Sequence, residues 1–230
     1  MIKESDFCYF LAFDVGGSKY LNLMQKNYMF IANNLQIMNN VFSLLYEQKT
    51  PFVFASSQMS NMVNSNYGLL KLIGERITES LSGVSATFWN IYGKETEPEK
   101  FHVINDFIRM AVQTDKINLL TNGNEYRDFL HTSDCSYALA VILEKYEEFI
   151  NIRNIDISSF KWTKILDVAH IVSEISGATV IPGLANDSTH DQRLREPNPF
   201  LLDFWAPKIN LEDGIRDLFG YYSQMSKDLY

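Results

Sequence analysis

Three near-continuous apolar runs, separated by segments of helical periodicity, constrain the fold of this 230-residue chain most. They are DFCYFLAF (6–13), TPFVFASS (50–57) and VSATFWNIYG (84–93). A strand with one face in water alternates apolar and polar residues, whereas a strand covered on both faces reads as an unbroken apolar run. Between the runs, NYMFIANNLQIMNNVFSLLYEQ (27–48) places apolar residues at helical spacing, and a second helical segment opens near residue 66. Alternation of this kind predicts an α/β protein with a doubly wound parallel sheet. Downstream, a helix over 101–113 precedes a short strand and turn, KINLLTNG. Beyond about residue 150 the rhythm changes. KILDVAHIVSEISG is expected to be a helix closed by Gly177, ATVIPG a short strand and INLEDGIRDLFGYY a last helix, together a smaller α+β lobe.

Charge and composition narrow the function classes. The net charge is −8 and no cluster of lysine and arginine occurs, which argues against a nucleic-acid partner. The opening MIKESDFCYFLAF has neither a basic n-region nor a long apolar stretch, so neither a signal peptide nor a membrane span is expected. Cys8 and Cys135 lack metal-ligand spacing and read as reduced thiols of a cytoplasmic protein. His102, His131, His170 and His190 are scattered and form no metal pattern, so no metal is expected.

NYGLLKLIGERI (66–77) sets Tyr67 and Lys71 four positions apart, on one helix face about a turn from each other. By itself that spacing fits a surface pair as well as a shared site. The apolar set Leu69, Leu70, Leu72, Ile73 and Ile77 is expected to face inward, and Gly74 to admit a close neighbour. Context adds to this. Doubly wound sheets bind ligands at the carboxyl ends of their strands. Ser56 and Ser57 end one strand, Asn90 follows the next, and Tyr67 and Lys71 lie on the helix between.

FVFASS, YGLLK, FWNIYG and YRDFLHTSD, in that order, resemble the extended short-chain dehydrogenases, the NAD-dependent epimerase/dehydratase family that modifies nucleotide sugars. REPNPFLLDFWAPKINLEDGIRDL looks like that family's closing stretch, so the resemblance covers essentially the whole chain. It implies a Rossmann-type cofactor-binding and catalytic domain over 1–150 and a mainly substrate-binding lobe over 151–230, with 94–120 also on the substrate side. It implies NAD or NADP as cofactor and a nucleotide sugar as substrate. Tyr67 would be the acid/base, Lys71 would lower its pKa and hold the nicotinamide ribose, and Ser57 would hydrogen-bond the reacting oxygen. Leu11, Ala12, Asn34, Ser56 and Trp89 would join Tyr67 and Lys71 at the cofactor. Asn90, His102, Val103, Arg127 and Arg195 would join Ser57 at the substrate, with Arg193 a further candidate for the diphosphate.

The sequence departs from the family's pattern in three places. No Gly-x-x-Gly-x-x-Gly turn occurs, and VGGSK (15–19) follows what would be the family's fourth strand. The Rossmann sheet is therefore expected to be N-terminally truncated, binding of cofactor by this chain alone to be weak, and the strand at 6–13 to seek a second copy or another partner. The gap from Ser57 to Tyr67 is short. Gln58 and Met59 stand where the family's dehydratases carry Asp-Glu, which argues against a 4,6-dehydratase, since elimination needs a further acid and base. An epimerase or a 4-keto reductase remains. The alternative is a non-catalytic remnant or partner subunit that has lost the cofactor.

Overall fold

The computed structural model describes residues 4–62, 64–186 and 195–228. The chain packs as two compact units. The first gathers Met1–Trp89, Ala138–Ile157 and Asn198–Trp205, and the second gathers Asn90–Tyr137, Ser158–Pro197 and Ala206–Tyr230.

The first unit is built on a four-stranded parallel sheet of β1 (Cys8–Phe10), β2 (Phe52–Ser57), β3 (Val84–Phe88) and β8 (Asn154–Ile157), in the order β1-β2-β3-β8. The register pairs Phe10 with Phe54, Ser57 with Phe88, and Phe88 with Ile157. Every residue of β2 is buried, as its unbroken apolar run requires. Alternate side chains leave opposite faces of the sheet. On one face Phe10, Phe52 and Phe54 pack with Phe42, Met38 and Leu45 of α2 (Tyr28–Gln48) and with Leu70 of α3 (Asn66–Ser80). The rings of Phe10 and Phe42 meet edge to face at 5.1 Å. From the other face the Tyr9 hydroxyl donates to the Leu139 carbonyl of α5 (Thr132–Glu144) at 3.0 Å. The expected parallel α/β sheet is therefore present, covered on both sides.

Local signals fix the helix ends. The Asn27 side chain accepts from the Met29 amide at the start of α2, and Ser65 accepts from the Gly68 amide at the start of α3. Gly177 closes α7 (Ile165–Ser176) in the left-handed conformation, at φ 79°. A short helix, α1 (Ser18–Met24), leads out of the glycine pair after β1, and α6 (Tyr146–Phe149) precedes β8.

Three expectations are corrected. The run at 6–13 pairs only over Cys8–Phe10, and Leu11, Ala12 and Phe13 leave it as a loop. The run at 84–93 is two elements. β3 stops at Phe88, and β4 (Ile91–Tyr92) pairs in parallel with β7 (Leu130–His131) in the second unit. The third correction concerns the face of α3. Leu69 and Ile73 are 37% and 45% exposed, and the buried stripe is Tyr67, Gly68, Leu70, Lys71, Gly74 and Thr78. Tyr67 and Lys71 thus occupy core positions, which turns some of the apolar set toward solvent.

Among its described residues the second unit holds three two-stranded pairings: β4 with β7, β5 (Lys116–Asn118) with β10 (Thr179–Ile181), and β6 (Tyr126–Asp128) with β9 (Trp162–Lys164). Its core joins Ile104, Phe107 and Ile108 of α4 (Val103–Thr114), Val168 and Val172 of α7, and Ile215 and Leu218 of α8 (Leu211–Asp228). Asp128 is fully buried and ties the loop before β9. It accepts from the Ser158 hydroxyl at 2.7 Å and from the Ser159 amide at 2.8 Å. Among the described residues, no helix is long and apolar enough to cross a membrane, and no cluster of acidic, histidine and cysteine side chains has the make-up of a metal site.

Candidate active site

The carboxyl end of β2 and the first turns of α3 are held together by a short 3₁₀ turn over Gln58–Asn61. This turn accounts for the brevity of the link between Ser57 and Tyr67. The Ser57 hydroxyl caps it, accepting from the Met59 amide at 3.2 Å. Gly68 makes the close approach possible, because a Cβ there would lie 2.2 Å from the Met59 carbonyl oxygen and 3.0 Å from that of Met62. Gly74 admits a close neighbour as expected, with the Phe54 ring packed against it. The side chains of Ser57, Tyr67 and Lys71 are in this way gathered in the first unit, all buried.

Tyr67 is 7% exposed and its side chain is hydrogen-bonded to that of Ser57. Burial pushes its phenol up to about 12, with the Ser57 hydrogen bond pulling the other way. Lys71 is 4% exposed. Its ammonium donates to the Ala55 carbonyl at 2.7 Å and lies over the rings of Phe13 at 3.8 Å, Phe54 at 5.1 Å and Tyr67 at 5.7 Å. Burial pulls it from the ordinary lysine value of 10.5 down to about 7, against the Glu75 carboxylate, which favours the charged form. The site offers a buried phenol hydrogen-bonded to a hydroxyl, with an ammonium 5.7 Å from the centre of its ring.

A pH dependence of stability follows. The folded-state pKa of Lys71 lies below its unfolded value, so between about pH 7 and pH 10 the unfolded chain holds a proton that the folded chain lacks. Stability contributed through this group therefore rises with pH across that window. Lys71→Met should flatten the rise, as read by chemical unfolding at a series of pH values. An unchanged slope would mean that Lys71 is not desolvated as described.

The other cofactor candidates of the first unit fall into two kinds. Leu11 is 48% exposed and Ala12 is exposed, both just beyond the carboxyl end of β1. The rest are engaged within the fold. Asn34 is fully buried on α2. Its side-chain amide accepts from the Asp14 backbone at 2.8 Å and donates to the Asp14 and Phe30 carbonyls, which pins the loop after β1. The Trp89 indole donates to Asp156 at 2.9 Å. The Ser56 hydroxyl donates to Glu75.

The candidates for the substrate side lie in the second unit. Asn90 donates to the Asp128 carbonyl at 3.0 Å, and Arg127 donates to the Tyr126 carbonyl at 2.7 Å. His102 stands just before α4, hydrogen-bonded through ring and backbone to Glu95. Despite its burial, Glu95 stays charged: the His102 ring and Asn105 keep its carboxyl below the usual range. Val103, the first residue of α4, packs against the core of the unit. Arg195 is half-buried, and Arg193 and His190 lie outside the described residues.

Sequence reasoning passed over Phe13, Gly68 and Glu75. Glu75 had a readable signal, since it stands one turn beyond Lys71 on the same helix face. Gly68 had a weaker one, as a glycine inside a helix beside the candidate tyrosine.

Known proteins resemble this chain. The model of the NAD dependent epimerase/dehydratase family matches residues 2–157. The putative GDP-L-fucose synthase 2 of Arabidopsis thaliana is 24% identical over 229 residues, covering 84% of this chain and 69% of that protein. Among solved structures, an epimerase from Methanothermobacter thermautotrophicus matches with a TM-score of 0.82 at 18% identity, over 98% of this chain and 74% of that one. The UDP-glucuronic acid 4-epimerase of Bacillus cereus, solved with UDP-glucuronic acid and NAD, matches with a TM-score of 0.82 at 20% identity, over 97% of this chain and 77% of that one. At these identities the structural likeness speaks for the fold.

Proposed function

The chain belongs to the NAD dependent epimerase/dehydratase family, and from that premise we propose that it acts as a nucleotide-sugar epimerase or 4-keto reductase, with Tyr67 as acid/base. The observation that carries this reading is the burial of Ser57, Tyr67 and Lys71 together at the carboxyl end of β2. A structural role alone gives no reason to bury an ammonium next to a phenol, because a desolvated charge is costly unless it is used or paired.

The residues present fit the nicotinamide end of the family's cofactor. Lys71 commits one of its three ammonium donors to Ala55, and Leu11 and Ala12 stand open beyond the neighbouring strand. Lys71, Leu11 and Ala12 would hold that end, with Asn34 fixing the loop that carries the latter two. When bound, the nicotinamide supplies the hydride acceptor or donor. The chain's own residues do the rest. In the oxidising direction the Tyr67 phenolate takes the proton of the sugar hydroxyl as the C–H bond on the same carbon gives up its hydride and the carbonyl forms. Ser57 donates a hydrogen bond to the reacting oxygen. Lys71 stabilises the phenolate, whose ionisation burial alone opposes. In the reducing direction the Tyr67 phenol returns the proton.

On the substrate side, Arg127 is proposed to grip the diphosphate with its planar fork. Arg127→Lys should then weaken binding of UDP- or GDP-sugars, because a point charge replaces two parallel donors. Calorimetric titration of the two proteins checks this, and equal affinity would return Arg127 to a purely structural role. A second reading, a partner protein of this family without catalysis, draws on one observation. Tyr67 and Lys71 are almost wholly enclosed, with the Phe13 ring 3.8 Å from the ammonium.

A further inference from the structure

The Lys71 ammonium sits among groups that compensate it poorly. Its described surroundings are one backbone carbonyl, of Ala55, and the faces of three aromatic rings. β2 contributes Ala55 and Phe54, neither of which titrates. The loop after β1 contributes Phe13, next to Asp14, whose carboxylate accepts from the Tyr20 hydroxyl at 2.7 Å. On its own helix the titratable neighbours are Tyr67, a neutral phenol when protonated, and Glu75. The carboxylate that favours a charged Lys71 is that of Glu75, one helical turn on.

Glu75 is itself held. The hydroxyl of Ser56, a buried residue at the end of β2, donates to its Oε1. The carboxylate of Glu75 is thereby anchored both by α3, which carries it, and by Ser56 of β2. We propose that Glu75, held by Ser56, is the positioning residue that supplies the counter-charge to Lys71 beside Tyr67. This role rests on the acid/base reading above. It gives Ser56 a different task from Ser57: Ser57 bonds the phenol, while Ser56 orients the counter-charge of the lysine.

The test is a titration of Lys71 followed by NMR of its side-chain ε-methylene and Nζ, assigned with Lys71→Arg, in the wild-type chain and in three variants. Glu75→Gln keeps the shape and the hydrogen-bond acceptor but loses the charge. It should lower the Lys71 midpoint by on the order of one pH unit. Glu75→Asp, which keeps the charge, should recover some of that shift, and Ser56→Ala should lower the midpoint less than Glu75→Gln does. In turnover measurements, Glu75→Gln should move the alkaline fall of the rate to lower pH, because Lys71 then loses its proton sooner. Equal midpoints in wild type and Glu75→Gln would overturn the proposal. If Glu75→Gln fails to fold, Ser56→Ala decides it, and an unmoved midpoint there would overturn it. Should the midpoints shift while Tyr67→Phe keeps full turnover, the acid/base reading fails and the effect of Glu75 on Lys71 stands.

Discussion

Tyr67→Phe should leave folding nearly unchanged and cut turnover by about 10²–10⁴-fold, the usual worth of a positioned proton-transfer group. The ring of Tyr67 packs edge to face with Phe13 at 5.7 Å and within the cluster of Phe10, Phe54 and Leu70, and phenylalanine keeps those contacts. What disappears is the hydroxyl. The Ser57 hydroxyl loses one partner and keeps the Met59 amide, so the thermal midpoint should move little. A large loss of rate with an intact fold is the signature of a group that moves a proton. Full activity in a folded Tyr67→Phe protein would remove Tyr67 from the mechanism.

Gly68→Ala should have the largest effect on stability. Alanine is intrinsically the better helix former by about 1 kcal/mol, so an unhindered site would gain. Here the added Cβ would meet the Met59 carbonyl oxygen at 2.2 Å, and both that atom and the next nearest, the Met62 oxygen at 3.0 Å, belong to backbone. Overpacking of this kind typically costs about 1–3 kcal/mol, and more where backbone must shift. Relief would push the 3₁₀ turn over Gln58–Asn61 away from α3, and Ser57 begins that turn. Lower stability and lower turnover should therefore appear together. Differential scanning calorimetry checks the first, and a midpoint equal to or above the wild type's would contradict the close approach.

How far the sequence discloses this fold depends on whether polarity and burial agree. At β2 they do: FVFASS is apolar or small throughout and is buried at every position. At β8 they do not. NIDI includes Asp156, buried because it accepts from the Trp89 indole and from the Asn198 amide, so no apolar run marks this strand. The loop after β1 shows the converse. Leu11, Ala12 and Phe13 are as apolar as the strand they follow, and apolarity alone cannot find the point where hydrogen bonding stops. α3 blurs the pattern in another way. The Tyr/Lys spacing was legible, yet the buried stripe carries both residues and leaves Leu69 and Ile73 in solvent. A reading by residue type puts a lysine outside, and the partners that allow Lys71 inside (Ala55, Phe13, Glu75) come from a strand, a loop and the next helical turn. The resemblance named the candidate site residues. Their contacts, such as Asn34 on the Asp14 backbone and Ser56 on Glu75, become visible only in three dimensions.

The most direct measurement follows a deuterium label from the sugar C4 of a UDP- or GDP-hexose to the nicotinamide, by mass spectrometry, with NAD in large excess. The wild-type chain should transfer the label, and Tyr67→Phe should transfer it about 10²–10⁴-fold more slowly. Equal transfer by both proteins, or none by the folded wild type, would contradict a proton-transfer role for the buried Tyr67.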